Sequence, residues 1–273
     1  MTTGTNSVRA KSRARTHAWL PGLAGLTGFA LVLEIVPRTG LVSPHYLPPF
    51  SDITLALFKE AMTATFWIAL GATLQAWAIG LAISLIAGVV IGIVVGSSHL
   101  LRTLTRSTIE FLRPIPSVAL IPLAVLLFGS QIESTLILVV YASFWQVLIQ
   151  VLYGVQDVDP VARETARSYG LGRLAQIRYV TWPTTLPYLM TGVRLAAAVS
   201  LILAITSEVA IGTHGLGKEI SDTESGGAVA IMYAYVIVTG IIGVILNLGA
   251  RTLERRVLAW HPSIRRDTLE AGG

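Results

Sequence analysis

Apolar residues gather in six runs along the chain, at 19–36, 66–95, 115–128, 135–155, 186–211 and 229–248, separated by polar segments rich in Arg, Gly or Pro. Crossing a ~30 Å hydrocarbon core takes about 20 predominantly apolar residues as a helix. The pattern therefore predicts an all-α polytopic membrane protein with six transmembrane helices. Two runs depart from that length. The run 66–95 would extend roughly 45 Å at 1.5 Å per residue, so it tilts or emerges at one end. The run 115–128 is short and begins among Pro114, Pro116 and Pro122. Proline removes an amide donor and clashes with the preceding turn, and a bilayer tolerates this only beside protein or a water-filled cavity. Such a broken span is either a plain kink or part of a translocation path. Between the first two runs, 37–52 carries Pro37, Pro44, Pro48 and Pro49 and reads as an irregular external loop. From 53 to 64 apolar residues recur at helical spacing opposite Lys59 and Glu60, which suggests a short interfacial helix.

Composition agrees with the pattern. The chain is 53% hydrophobic and 13% charged, with a mean hydropathy of +0.69, where soluble domains carry about a quarter charged residues. No cysteine is present, which excludes disulfides, thiolate metal sites and thiol catalysis. The net charge of +5 is spread over short segments between apolar runs, as topology signals are, and does not suggest a nucleic-acid partner. Six crossings put the tail 1–18, the basic loops 97–113 and 156–185, and the tail 251–273 on one side. These hold sixteen of the twenty Lys and Arg, including Arg9, Lys11, Arg13, Arg15, Arg265 and Arg266. That side is cytoplasmic by the positive-inside rule, so both tails are cytoplasmic and 19–250 is the membrane domain. The first run is read as a retained span rather than a cleaved signal peptide, because it contains Glu34 and no small-x-small cleavage site follows it. Gly88, Gly92 and Gly96 form a tandem GxxxG that lets a neighbouring helix approach closely, most simply one from the same chain.

Little of this supports catalysis. Gly212-Thr-His-Gly-Leu-Gly-Lys218 matches seven positions of a phosphate-binding loop, but Glu219 replaces the hydroxyl that would hold magnesium and no strand precedes it. It reads as a glycine-rich external turn. The five histidines lie in tails or loops without metal-ligand spacing. No catalytic group, no metal site and no cofactor is expected in this chain. Glu208 is a carboxylate near one end of a run, with Ser200, Thr206 and Ser207. Charge there must face protein or water. It is either a pathway, gate or protonatable group, or a structural hydrogen-bond acceptor. Arg194 is fourteen positions away on the same run and cannot pair with it along the helix. Gln146 and Gln150 read as hydrogen bonds between helices.

The segment 156–185 carries the most specific pattern. Asp159-Pro160 can start a helix and Gly170 can end it, giving a short amphipathic helix able to dock in a groove on a partner. Glu164-Thr-Ala166, three residues, Gly170, nine residues, Val180, then Pro183 resembles the EAA loop of ABC importer permeases. Thr165, Val180 and Trp182 depart from that pattern's Ala, Ile and Leu. The stretches 46–52, 113–123, 192–195, 207–208 and 253–260 look like the nitrate/sulfonate/taurine group of these permeases, and the likeness covers about 40–262. It implies a bacterial inner-membrane, multi-pass subunit of a type I importer. A second permease, identical or paralogous, cytoplasmic ATP-binding subunits that hold ATP and Mg, and an extracytoplasmic substrate-binding protein would complete it. A small solute (sulfonate, taurine, nitrate, a similar anion or a heterocyclic vitamin precursor) would pass inward by alternating access. Arg163, Glu164, Ala166, Arg167, Gly170 and Pro183 would couple the ATPase to the spans. Glu208, Ser207, Pro116 and Pro122 are the pathway or gate candidates. The rival expectation is a secondary transporter driven by protons through Glu208.

Overall fold

Helix ends follow from local chemistry in the structure, a computed structural model that describes residues 20–260. The tail 1–18, with Arg265 and Arg266, lies outside the described residues. Helix α1 (Leu20–Arg38) ends at Pro37 and the ion pair of Glu34 with Arg38 at 2.6 Å. Glu34 also accepts from the Ser51 amide at 2.9 Å. That amide is one of the donors left free at the start of α2 (Phe50–Glu60), so the carboxylate caps the next helix. Thr63 caps α3 (Ala64–Gly96) by accepting from the Phe66 amide, and Ser98 does the same for α4 (His99–Leu112) through Leu101. A 3₁₀ turn (Ser117–Leu120) leads into α5 (Ile121–Phe128), and α6 (Ile132–Gln156) returns. Beyond it come α7 (Pro160–Ser168), α8 (Arg173–Ile211), α9 (Leu216–Ser225) and α10 (Val229–Val257).

Among the described residues every element is helical. Four helices there, α3, α6, α8 and α10, are long and apolar enough to cross a bilayer. A fifth crossing arises if α4 and the segment Ser117–Phe128 are one broken span, bent by 82°.

Three polar segments of the sequence turn out to be helical. Residues 97–113, expected as a loop, contain the 14-residue α4. Its Leu100, Leu104 and Phe111 are exposed, and Ile109 and Leu112 pack beneath Trp145, Leu148 and Leu152 of α6. A charge-based reading sees only the arginines of such an amphipathic helix. The run 115–128 is accordingly not a span by itself, since only its last eight residues are α-helical. Pro114 follows the end of α4, Pro116 precedes the 3₁₀ turn and Pro122 sits in the first turn of α5, where a missing amide costs least. The Leu112 carbonyl, for which Pro116 offers no helical donor, accepts from the Ile115 amide at 3.1 Å and from the Tyr141 hydroxyl at 2.6 Å. Likewise the second half of 156–185 is the first part of α8, and 212–227 contains α9.

The core is three helices wide. α6 lies between α3 and α8, with Leu138, Val139, Val147 and Val151 fully buried. Gly80, Gly88, Gly92 and Gly96 of α3 face Val139, Val147, Val151 and Val155 of α6. A Cβ added at any of them would meet a valine side chain at 2.4–2.9 Å. The GxxxG face is thus occupied within the chain. Gly154 approaches Thr185 of α8 in the same way. Polar bonds join the three helices: Ser84 Oγ to the Val140 carbonyl at 3.1 Å and Trp77 Nε1 to the Ala197 carbonyl at 2.9 Å. Gln146 and Gln150, expected to bond between helices, donate to none among the described residues; Gln150 packs its methylenes against Gly192. α10 packs on α8, α9 and α2, and Arg194 meets Glu254 of α10 at 3.6 Å.

Candidate functional site

Two clusters stand apart from the apolar packing, one at each end of the bundle. At the first, α7 projects beyond the end of α6. Pro160 opens it with a preset backbone angle, and Asp159 accepts from the Val161 amide at 2.8 Å. Its C-terminus is a Schellman motif. Leu171 N–H donates to the Ala166 carbonyl at 3.0 Å and Gly170 N–H to the Arg167 carbonyl at 2.9 Å. Gly170 holds φ 74°, the left-handed region a side chain disfavours. Ala166 is buried against the chain, Arg163 is half-buried, and Glu164 and Arg167 are exposed. Around them Val161, Tyr169 and Leu174 are left 67%, 81% and 84% exposed.

Behind α7 lies a 430 Å³ cleft in which Arg163, Arg167 and Arg173 converge with Ser97 and Ser98 from the end of α3. Its floor is the junction into α8. Residues Ile177–Thr181 wind as a π-turn immediately before Trp182 and Pro183. Proline offers no amide to the preceding turn, and wider winding of this kind recurs where helices carry function. Tyr188, one turn into the span, donates to Asp157 Oδ2 at 2.9 Å and ties α8 to the segment leading into α7. All six sequence-predicted coupling residues (Arg163, Glu164, Ala166, Arg167, Gly170 and Pro183) lie on this one end, four of them on α7 itself.

At the opposite end Glu208 is 1% exposed. Its Oε2 accepts from Thr73 Oγ1 of α3 at 2.8 Å and from the Gly217 amide at 2.9 Å, while Thr73 Oγ1 accepts from the Leu216 amide at 2.8 Å. One carboxylate therefore ties the start of α9 to α3 and α8. Its second oxygen is buried without a partner among the described residues. The glycines of the false phosphate loop now have a reason. A Cβ on Gly215 would sit 2.2–2.4 Å from the Glu208 carboxylate, and one on Gly217 would meet the Ile205 carbonyl at 2.4 Å. Thr135 Oγ1 and Thr213 Oγ1 share a buried hydrogen bond at 2.9 Å and fix the same loop to α6. Ser207, by contrast, donates within its own helix to the Ala204 carbonyl at 2.9 Å. Pro116 and Pro122 lie at the α4–α5 break and are not among the residues bonded to Glu208, while the neighbouring Leu120 and Ile121 pack with Leu203 and Ala204 of α8.

At the same end as Glu208, Tyr235 donates to Glu60 Oε2 at 3.1 Å, and Lys218 pairs with Asp222 on α9. Partial burial pushes the Glu219 carboxyl above the ordinary range, with the Lys218 charge opposing. Sequence reasoning missed Thr73, Thr135, Thr213, Gly215 and Gly217. The signal available was a hydroxyl in each of two apolar runs and a glycine pair with spacing two. Their meeting point depends on how three helices pack.

Comparison with known proteins identifies the family. The family model described as "Binding-protein-dependent transport system inner membrane component" matches residues 80–259. The taurine transport system permease protein TauC of Escherichia coli K12 is 32% identical over 230 residues, covering 82% of this chain and 84% of that protein. The putative aliphatic sulfonates transport permease SsuC of Bacillus subtilis 168 is 26% identical, covering 96% and 95%. The nitrate import permease NrtB of Leptolyngbya laminosa is 28% identical, covering 71% and 69%. In fold, the chain matches the inward-facing MetNI methionine ABC transporter at TM-score 0.61 and 16% identity, over 72% of this chain and 98% of that one. It matches the bacterial alginate ABC transporter, in complex with its alginate-bound periplasmic protein, at TM-score 0.63 and 14% identity, over 88% and 98%. The chain belongs to the family of binding-protein-dependent transport system inner membrane components and is an ABC importer permease.

Proposed function

We propose that this permease passes a small oxyanion-bearing solute, of the sulfonate, taurine or nitrate kind, into the cytoplasm, and that α7 is its contact with a cytoplasmic ATPase. In this reading the chain crosses the bacterial inner membrane six times, with α1 as the first crossing and the α4–α5 pair as the third, and both termini are cytoplasmic. ATP and Mg belong to the partner ATPase, a second permease completes the pathway, and an external binding protein delivers the solute. The transport cycle is alternating access.

The observation that carries the reading is α7 itself. A nine-residue helix closed at both ends, by Asp159 and by the Gly170 turn, keeps its fold outside the bundle. It leaves Val161 and Tyr169 exposed on a face with Glu164 and Arg167. Such a helix is suited to a groove on another protein. A push on it reaches the spans through Tyr188–Asp157 and the π-turn, and the arginine cleft behind it leaves room for movement. The solute class rests on the names of the relatives, which are transporters of taurine, aliphatic sulfonates, nitrate and bicarbonate.

Glu208 fits a latch better than a proton carrier. Its Oε2 is held by Thr73 and the Gly217 amide, and glycines are packed over it on the outer side. The proton-driven alternative needs this carboxylate to reach a pathway. Deleting the partner ATPase separates the two readings. Uptake of radiolabelled taurine, sulfonate or nitrate should vanish without it. Uptake that continues at the same rate would instead favour the secondary transporter.

A further inference from the structure

A cavity of 670 Å³ lies between α4 and α6, separate from the arginine cleft and away from Glu208. Its wall is apolar on one side, formed by Val95, Ile109, Ile149 and Leu152, and basic on the other, where Arg102, Arg106 and Arg113 stand. Arg106 is already paired with Glu110 at 2.9 Å. Arg102 and Arg113 have no ion pair among the described residues, and the Arg102 Nε is buried with no hydrogen-bond partner there. A buried guanidinium donor without an acceptor is costly, so an anion in this cavity would answer a need the chain leaves open. The volume falls within the range of small-molecule sites.

The level of the cavity narrows the choice of anion. Val95 is in the last turn of α3 and Leu152 in the last turns of α6, so the site opens where two crossing helices leave the hydrocarbon. α4 beside it is amphipathic, with Leu100, Leu104 and Phe111 exposed at 66%, 65% and 73%. A helix of that character runs along the headgroups, and the 82° bend after it turns the chain into the membrane, so the α4–α5 pair enters at the surface and completes its crossing through α5. Arginine forks match phosphate oxygens, and basic pockets between transmembrane helices on the cytoplasmic side hold lipid head groups. A small water-soluble anion would satisfy the arginines and leave the apolar wall bare. We infer that this cavity binds an anionic phospholipid, with the phosphodiester on Arg102 and Arg113 and the glycerol and upper acyl chain against Ile109, Ile149 and Leu152. The lipid pins α4, and with it the break that leads into α5, to the membrane surface.

The site rests on reading this end as cytoplasmic, but it is tested without transport, so its failure leaves the importer reading standing. The full chain, purified in detergent, is titrated with phosphatidylglycerol and phosphatidylcholine of identical acyl chains, and retained lipid is counted by native mass spectrometry. Phosphatidylglycerol should be retained preferentially, by about fivefold for each contributing arginine. The preference should be lost in Arg102→Gln/Arg113→Gln and kept in Lys59→Gln, a charge change at the other end. Circular dichroism checks the fold. If the double variant misfolds, Arg113→Gln alone carries the test through its exposed side chain. Equal retention of the two lipids, or an unchanged preference in the arginine variants, overturns the site. Inorganic phosphate that is itself retained and strips the lipid also overturns it, in favour of a soluble anion.

Discussion

Glu208 shows how one residue can settle the shape of a whole end of the molecule. Burial of a carboxylate is tolerable only with donors around it, and here the donors come from α3 and from the backbone that opens α9. Removing the acceptor in Glu208→Ala would leave the Thr73 hydroxyl and the Gly217 amide unpaired, at about 1–3 kcal/mol. The thermal midpoint of the purified permease should fall clearly, and by less in Glu208→Gln, which keeps an acceptor. Gly215→Ala approaches the same site from outside. Its methyl would collide with the carboxylate, an overpacking cost of about 1–3 kcal/mol, so its midpoint should fall as well. Gly71→Ala, where nothing lies within 4 Å, should leave the midpoint almost unchanged. The sequence made Glu208 conspicuous, because charge in an apolar run is rare. It did not reveal Thr73, 135 positions away, since a single threonine in a long apolar helix has no pattern of its own.

Elements were legible to the extent that their hydrophobicity was continuous. The 33-residue α3 and its glycine repeat could be read directly, because apolar length and GxxxG spacing are both local signals. Their partner surface, valines at 139, 147, 151 and 155, is visible only once the two helices are side by side. Gly92→Leu should therefore drive α3 from α6 and sharply reduce the folded, monodisperse fraction on size-exclusion chromatography. A side chain at Gly22, on an open face, should not. α4 was misread as a loop because its apolar positions are interleaved with arginines, and α9 because glycine punctuation hid a ten-residue helix. α7 was readable for the opposite reason. Asp-Pro at its start and glycine at its end are the two strongest boundary signals a helix has, and both make the expected bonds. Gly170→Val would force a branched side chain into the left-handed region, at about 1–2 kcal/mol or more. It should reduce ATPase association, measured by co-purification, while the amount of permease in the membrane stays the same.

At the scale of the molecule, two polar assemblies sit at opposite ends of a three-helix core. One is built inward around Glu208, with its glycines closed over the carboxylate. The other is built outward, with α7 standing clear of the bundle and its apolar residues uncovered. α8 joins them, because the same 39-residue helix begins beside the arginine cleft and ends next to Glu208. In the proposed reading, a displacement of α7 passes through the short turn after Ser168 into α8 and along it to the loop around Glu208. The charge distribution predicts an orientation and the family resemblance predicts the partners; neither predicts the bent α4–α5 pair, where prolines and the Tyr141 hydroxyl meet at the end of α4. The central claim is that Glu164 and its helix transmit the ATPase's motion. It is tested most directly by solute uptake in cells expressing the Glu164→Lys variant with all partner subunits present, normalised to the amount of permease in the membrane. Uptake should be abolished while membrane insertion is unchanged; uptake at the normal rate would contradict the account.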